Sequence, residues 1–330
     1  MISLRKGLFF THFKLARNLH IKRGTEHKER WASMKLDDLI IKASQLQNKT
    51  AAVAHAEDEE VLHAIKMAIE RKVARFLLVG NKRNLKELVK QHEINEDWID
   101  IIHSDSPEES AKIAVQAVSE NHADILMKGH VPTAVLLKAV LNKEYGLRTA
   151  SVLSHVAAFE VPGFDRFIYV TDSAMNIAPD LNMLKEITVN SVQVAQAVGN
   201  DLPKVAVLSA VEVVNPAMDS TLTAASLAQM NRRGQISGCL IDGPLALDNA
   251  ISQTAASHKN ITSDVAGHAD ILLVPTIEAG NILYKSLIYF AHAKVGAVVA
   301  GAKAPIALTS RSDSAESKLY SIALAICTSN

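Results

Sequence analysis

Several things are scarce or missing in this sequence. Of its 330 residues only Cys239 and Cys327 are cysteines, which excludes a disulfide scaffold and any zinc site built on cysteine. Lys+Arg and Asp+Glu each total 35, so no global field favours nucleic acid or an anionic membrane surface. No uninterrupted apolar run approaches the ~20 residues that span a bilayer. There is no G-x-x-x-x-G-K-[ST] loop, no G-x-G-x-x-G opening a helix, no H-E-x-x-H and no G-x-S-x-G. The 13 histidines are scattered without metal-ligand spacing. Kinase, metal hydrolase and serine hydrolase lose ground accordingly, and no metal is expected. What remains is ordinary globular composition, 48% hydrophobic and 21% charged, in a chain too long for one ordinary core at ~100–200 residues per domain. Two domains and a reducing, cytoplasmic setting are the expectation.

The zero net charge hides an asymmetry. Residues 1–33 carry eight basic groups against Glu26 and Glu29, a net of +6, and the rest of the chain is therefore −6. Gly7-Leu8-Phe9-Phe10 is too short for the apolar region of a secretory signal, and Ser3 and Ser33 are too few for an organelle transit peptide. We expect 1–33 to be a non-native or disordered extension, with translation starting at Met34.

From Met34 helix-like and strand-like pieces alternate. Val61, Leu62, Ile65, Ala68 and Ile69 recur at helical spacing and lead into the apolar strand Arg75–Gly80. Asp105 or Ser106 caps a helix with Pro107 at its first position and acids in its first turn. Further strands are expected at 51–54, 99–102, 123–127, 167–171, 204–208, 236–241, 270–274, 297–300 and 305–309. Helices are expected over 180–198, 217–230 and 314–327. Short apolar strands separated by amphipathic helices imply an α/β fold with a parallel sheet covered on both faces.

Polar residues collect where strands end, the place at which open α/β sheets bind ligands. In Leu308-Thr309-Ser310-Arg311-Ser312-Asp313-Ser314-Ala315-Glu316 a strand runs into hydroxyls, an arginine and acids before a helix. Arg311 offers a bidentate fork for phosphate, whereas Asp313 with Glu316 reads locally as a capping box. Asp270–Lys285 feeds a strand through Gly280 and Asn281 into a helix with Lys285 one turn in. Gly permits close approach, and free helix-end amides suit an anion. Met127-Lys128-Gly129-His130 ends another strand, with Lys128 and Lys138 as phosphate-compatible cations; His130 reads as a surface or packed residue. Asp172 with Asn176, and Asp242-Gly243-Pro244, complete the polar strand-end turns. Together they point to a phosphorylated or nucleotide-like ligand in a cleft.

In order and spacing these segments resemble the phosphate acetyl/butyryltransferase family over essentially Met34 to Asn330. The resemblance rests on Asp242-Gly243-Pro244-Leu245-Ala246, Val265-Ala266-Gly267, Asp270 through Lys285, Thr171-Asp172-Ser173-Ala174-Met175-Asn176-Ile177-Ala178-Pro179 and the closing Ser310-Arg311. The forms Asp242–Ala246, Val211–Met218 and Ser310–Ser314 lean toward the butyryl side of the family. The resemblance implies two α/β domains of the isocitrate/isopropylmalate dehydrogenase type, one inserted in the other: 34–153 with 301–330, and 154–300, with the cleft between them. It implies an acyl-CoA and inorganic phosphate giving an acyl phosphate and free coenzyme A, reversibly, by direct attack in a ternary complex. No tightly bound cofactor is implied; a coenzyme A thioester is substrate. A homodimer or larger assembly and coupling to an acyl-phosphate kinase are implied too, with no nucleic acid or membrane partner.

On that resemblance Arg311 holds the attacking phosphate and Ser310 donates to the oxyanion or departing thiolate. Lys128, Gly129, Lys138, Asp172, Asn176, Gly280, Asn281 and Lys285 contact substrate. The acetyl enzymes have an aspartate seven residues beyond the motif serine; Ser317 stands there in this sequence, so Asp313 or Glu316 would serve as base toward the thiol. Lys138 is the nearest match to a substrate-binding arginine of those enzymes. Rival expectations are a phosphate acetyltransferase, an NAD-dependent dehydrogenase on the same fold, and a non-catalytic module that senses coenzyme A or acyl phosphate. Intact Ser310-Arg311 argues against the last, and the lack of an acid cluster for a divalent metal argues against the dehydrogenase.

Overall fold

The computed structural model describes residues 35–309 and 313–329. The expected extension at 1–33 and the pair Ser310 and Arg311 lie outside the described residues. In chain order the elements are α1 (Leu36–Gln45), β1 (Thr50–Ala54), α2 (Glu59–Glu70), β2 (Arg75–Gly80), α3 (Lys82–Gln91), β3 (Ile99–His103), α4 (Pro107–Ser119), β4 (Ile125–Lys128) and α5 (Thr133–Val140). There follow β5 (Ser154–Glu160), β6 (Ile168–Thr171), α6 (Leu181–Val198), β7 (Lys204–Leu208), α7 (Asp219–Arg232), β8 (Leu240–Leu245), α8 (Leu247–Ile251) and α9 (Gln253–His258). The last are β9 (Ile271–Leu273), α10 (Ile277–Tyr289), β10 (Lys294–Ala300), β11 (Ile306–Ala307) and α11 (Ala315–Thr328).

Eleven strands form one sheet in the order β3-β2-β1-β4-β11-β10-β5-β6-β9-β7-β8. The first five are parallel to one another, and so are β6, β9, β7 and β8. Between the two sets, β10 pairs antiparallel with both β11 and β5, and β5 pairs antiparallel with β6. The parallel sheet expected from the alternation is present as two parallel sets, with antiparallel pairing confined to β5 and β10 between them. Two of the antiparallel pairs, β5 with β6 and β10 with β11, are consecutive strands joined by short loops without a crossover helix, and β10 returns beside β5. Two other expectations shift. Residues 236–239 are a turn, with Gly238 at φ 77, and the strand begins at Leu240, so Asp242-Gly243-Pro244 lies within β8 and not beyond it. Proline is tolerated there because β8 is an edge strand.

Side chains alternate across the sheet, and the core follows that period of two. Ala51, Val53, Val156, Ala158, Tyr169 and Val298 face one side and join a single apolar core that runs from Phe76 to Ile241. That core is sealed by α11, buried from Lys318 through Cys327, as befits a helix apolar on all sides. On the opposite face the core is split. Ala52, Ala54, Val79 and Leu126 belong to one cluster, which Leu308 packs against. Ala157, Phe159, Ile168, Val170 and Leu272 belong to another, covered by α10 through Leu283, Tyr284 and Leu287. No helix among the described residues is long and apolar enough to cross a membrane.

Candidate active site

A cleft of about 480 Å³ opens between those two clusters, lined by Val131 and Leu308 on one side and Tyr284 on the other. That volume suits a ligand of small-molecule size. Four strand ends and two helices supply its walls.

The first wall is the end of β4. Lys128 closes the strand with its side chain buried, and its Nζ donates to the Gly129 carbonyl at 3.3 Å. Gly129 donates its N–H to Ala54 at 3.0 Å, and a Cβ there would lie 2.2 Å from the His55 carbonyl oxygen. Only glycine fits, and its reason here is the close crossing of two strand ends. His130 turns away to pair with Asp58 at 3.3 Å. Val131, Pro132 and Thr133 continue the wall, but Lys138 projects from the exposed face of α5 and does not line the cleft.

The second wall follows β6. The buried Asp172 carboxylate accepts the backbone N–H groups of Ala174 and Met175 at 3.0 Å and of Asn176 at 3.2 Å, together with the Asn176 side-chain amide at 2.6 Å. Asn176 also donates to the Leu153 carbonyl at 2.8 Å. Both residues are thus committed to folding the turn, and it is Ser173 and Ala174 that they present to the cleft.

The third wall is α10. Thr276 caps its first turn, and Gly280 lets the helix approach the turn closely. Asn281 donates to the Ser173 carbonyl at 3.4 Å, and Asn281, Tyr284 and Lys285 line the cleft.

The fourth wall joins β11 to α11. Leu308, Thr309 and Asp313 line the cleft. The expected capping box of Asp313 with Glu316 is corrected. Ser314 is the N-cap and accepts from the Ser317 N–H at 3.2 Å, while Glu316 accepts from Lys294 and from the Tyr320 hydroxyl. Ser314 takes the cap because it has the extended backbone that a cap requires, one residue later than the sequence suggested. Asp313 is thereby released toward the cleft, and the buried ammonium of Lys318 donates to its carbonyl oxygen.

Three further groups were not singled out in the sequence. His155, on β5, is buried with its Nδ1 2.9 Å from the Ser173 Oγ. Its ring meets Tyr284 edge-on with centroids 5.8 Å apart, and Tyr284 in turn packs on Phe159 at 5.2 Å. Desolvation lowers the imidazole below its ordinary range; the carboxylates of Asp172 and Asp313 oppose that but do not outweigh it. Burial, assisted by Asp313, pushes the Tyr284 phenol well above the ordinary tyrosine range. At neutral pH the cleft therefore presents two lysines, one carboxylate, a neutral imidazole and a neutral phenol. The missed signal was Ser154-His155, a polar start to an otherwise apolar seven-residue strand. Among the described residues no group of three or more His, Cys, Asp or Glu is placed to hold a metal ion.

The brought-together set is Lys128, Asn281, Lys285 and Asp313, joined by His155, Ser173, Tyr284 and Thr309. Cations on facing walls with hydroxyl and amide donors suit an anionic substrate, and the apolar patch of Val131, Ala174 and Leu308 suits a short hydrocarbon.

Comparison with known proteins agrees with this chemistry. Residues 107–326 match the family model described as Phosphate acetyl/butaryl transferase. A protein of Bacillus subtilis (strain 168) named probable phosphate butyryltransferase is 67% identical over 296 residues, covering 90% of this chain and 98% of that protein. The crystal structure of a branched-chain phosphotransacylase from Enterococcus faecalis V583 superposes with a TM-score of 0.77 at 39% identity, covering 85% of this chain and 98% of the other. A 4-hydroxythreonine-4-phosphate dehydrogenase from Klebsiella pneumoniae shares the fold alone. Its TM-score is 0.53 at 12% identity, covering 85% of this chain and 100% of that one.

Proposed function

This chain belongs to the phosphate acetyl/butyryl transferase family, and from that premise we propose that it moves a short or branched acyl group from coenzyme A to inorganic phosphate, reversibly. The observation that carries the reading is the cleft itself. Lys128 and Lys285, more than a hundred residues apart in sequence, line one cavity together with Asp313, which stands two residues beyond Arg311. Phosphate attacking a thioester must be held close to the carbonyl carbon with its charge offset. Arg311 takes that role, assisted by Lys128 and Gly129 at the end of β4. Ser310 donates to the developing oxyanion, and Asn281 and Lys285 engage the coenzyme A portion.

Asp172, Asn176 and Gly280 serve substrate by shaping the turn that holds Ser173. Lys138, exposed on α5, is read as a surface cation that attracts the nucleotide phosphates. The apolar wall favours a four- or five-carbon acyl group over acetyl. We place the division of the chain at 34–153 with 301–330 and 154–300, a reading supported by the parting of the two apolar clusters at the cleft. The enzyme is read as cytoplasmic and as a homodimer or larger assembly. An acyl phosphate is an activated anhydride, so a kinase that passes its phosphoryl group to a nucleoside diphosphate is the natural consumer.

The test is thiol release from acetyl-, butyryl-, isobutyryl- and isovaleryl-CoA, with and without phosphate, on wild type and Arg311→Ala. Phosphate-dependent release, fastest on a four- or five-carbon acyl group and lost in the variant, is expected. Release from no acyl-CoA in the presence of phosphate would overturn the reading.

A further inference from the structure

The reaction just proposed moves a proton as well as an acyl group, and the cleft holds one group built to carry it. We infer that His155 is the proton carrier of the transfer, with Ser173 orienting it, an assignment that rests on the acyl-transfer reading.

Hydrogen phosphate enters with one proton, and coenzyme A leaves as a neutral thiol. The proton leaves its oxygen as that oxygen bonds to the carbonyl carbon, and the departing sulfur, whose thiol titrates near ~8.5 by analogy with cysteine, takes one up. A carrier between them works best as a neutral base near pH 7. His155 fits on geometry first. Its ring lines the cleft, Nδ1 is held 2.9 Å from the Ser173 Oγ, and Tyr284 closes the ring's edge at 5.8 Å. The ionisable groups around it are Asp172 after β6, Tyr284 on α10 and Asp313 ahead of α11, with Lys128 and Lys285 on the facing walls. Burial prevails over the two carboxylates and leaves the imidazole neutral.

In the proposed tautomer Nδ1–H donates to Ser173 Oγ, leaving Nε2 basic toward the ligand and the Ser173 hydroxyl proton available to a substrate oxygen. In the direction of acyl phosphate formation a phosphate oxygen bonds to the thioester carbonyl carbon while its proton passes to Nε2. The tetrahedral adduct then breaks its C–S bond, and the imidazolium returns the same proton to sulfur. Hydrogen phosphate dianion goes in, acyl phosphate dianion and neutral thiol come out, and no other reactant is needed. In reverse, Nε2 takes the thiol proton as sulfur attacks. Asp313, which lines the same cleft, stabilises the transient imidazolium.

The experiment compares wild type, His155→Gln and Ser173→Ala in butyryl-CoA plus phosphate, with kcat and kcat/KM measured from pH 5 to 9. Coenzyme A affinity is measured by calorimetry, and folding by circular dichroism. Wild type is expected to lose activity on the acid side as His155 protonates. His155→Gln is expected to lose about 10²–10³-fold in kcat, to bind coenzyme A as before, and to lack that acid limb. Ser173→Ala is expected to fold, to keep the limb with a displaced midpoint, and to lose roughly tenfold in kcat. An active wild type beside a His155→Gln variant within about threefold of it, or one retaining the acid limb, overturns the assignment alone. Should His155→Gln fail to fold, an unmoved midpoint in Ser173→Ala overturns it. A wild type with no phosphate-dependent thiol release overturns the acyl-transfer reading and this proposal with it.

Discussion

Gly280 and Asp172 are in contact through backbone alone: a Cβ on Gly280 would lie 2.5 Å from the Asp172 carbonyl oxygen and 2.9 Å from the Ser173 Cα. Helix α10 thus rests directly on the turn that carries Ser173, and the two walls of the cleft are set by one another. Gly280→Ala relieves glycine's helix penalty of ~0.5–1 kcal/mol but forces backbone apart, at a cost of about 1–3 kcal/mol. A lower melting temperature is expected, with a loss of kcat/KM greater than the stability change explains. A variant as stable as wild type would mean that the helix and turn have room to part.

Asp172 is the other half of that contact. Its carboxylate satisfies three backbone N–H groups and the Asn176 amide, and charge-assisted bonds are the strong ones. Asp172→Ala leaves these partly exposed donors without their acceptor, for a loss of about 1–3 kcal/mol. Asp172→Asn retains one acceptor oxygen and should fall between. Urea denaturation of the three proteins gives the order, and an Asn variant as weak as Ala would show that charge, not geometry, holds the turn.

Much of this could be read before the coordinates. Arg75–Gly80 and Lys204–Leu208 have the bounds that their apolar runs suggest, because buried parallel strands need no alternation to be recognised. The Ser106–Pro107 helix start is where local capping chemistry places it. What escaped reading depends on contacts across sequence. β5 starts with Ser154-His155, which looks like a loop until His155 is seen to pair with Ser173, and one of its two antiparallel partners, β10, lies far along the chain. Asp172 and Asn176 were legible as polar strand-end residues, but their bonds run to the turn itself. Asp313 looked like a cap because it immediately precedes the cap that Ser314 forms.

Lys318 is a buried lysine on α11 that donates to the Asp313 carbonyl. A buried ammonium is retained against a desolvation cost, and its contact fixes the segment entering the helix. Lys318→Met keeps the bulk and removes the donor. Stability is expected to change little or rise, while kcat falls at least tenfold through the displaced Asp313 segment. Equal kcat in the two proteins would show that the segment is held by other contacts.

On the proposed reading the acyl chain lies against Ala174, which lines the cleft. Butyryl exceeds acetyl by two methylenes, worth ~1.6 kcal/mol if both are buried, or about 15-fold in relative kcat/KM. Ala174→Leu fills that space. The butyryl-to-acetyl ratio of kcat/KM is expected to fall by about that factor, with acetyl-CoA turnover retained. A variant slowed equally on both substrates would place the acyl chain elsewhere.

The lowered His155 also has a consequence for stability that is separate from catalysis. Above the ordinary histidine value of 6.5 neither the folded nor the unfolded chain binds a proton at this residue, and its contribution does not vary with pH. Below it the unfolded chain is protonated while the buried ring is not, so the unfolded state binds more protons and stability falls with pH. The loss continues until the pH reaches the lowered folded value, where both states are protonated. Wild type should therefore lose stability relative to His155→Gln on acidification below 6.5, and the difference between the two should be constant above it. Urea denaturation at a series of pH values measures that difference. A wild type that gains on the variant as the solution is acidified would mean that Asp172 and Asp313 outweigh burial, and that the ring is charged within the fold.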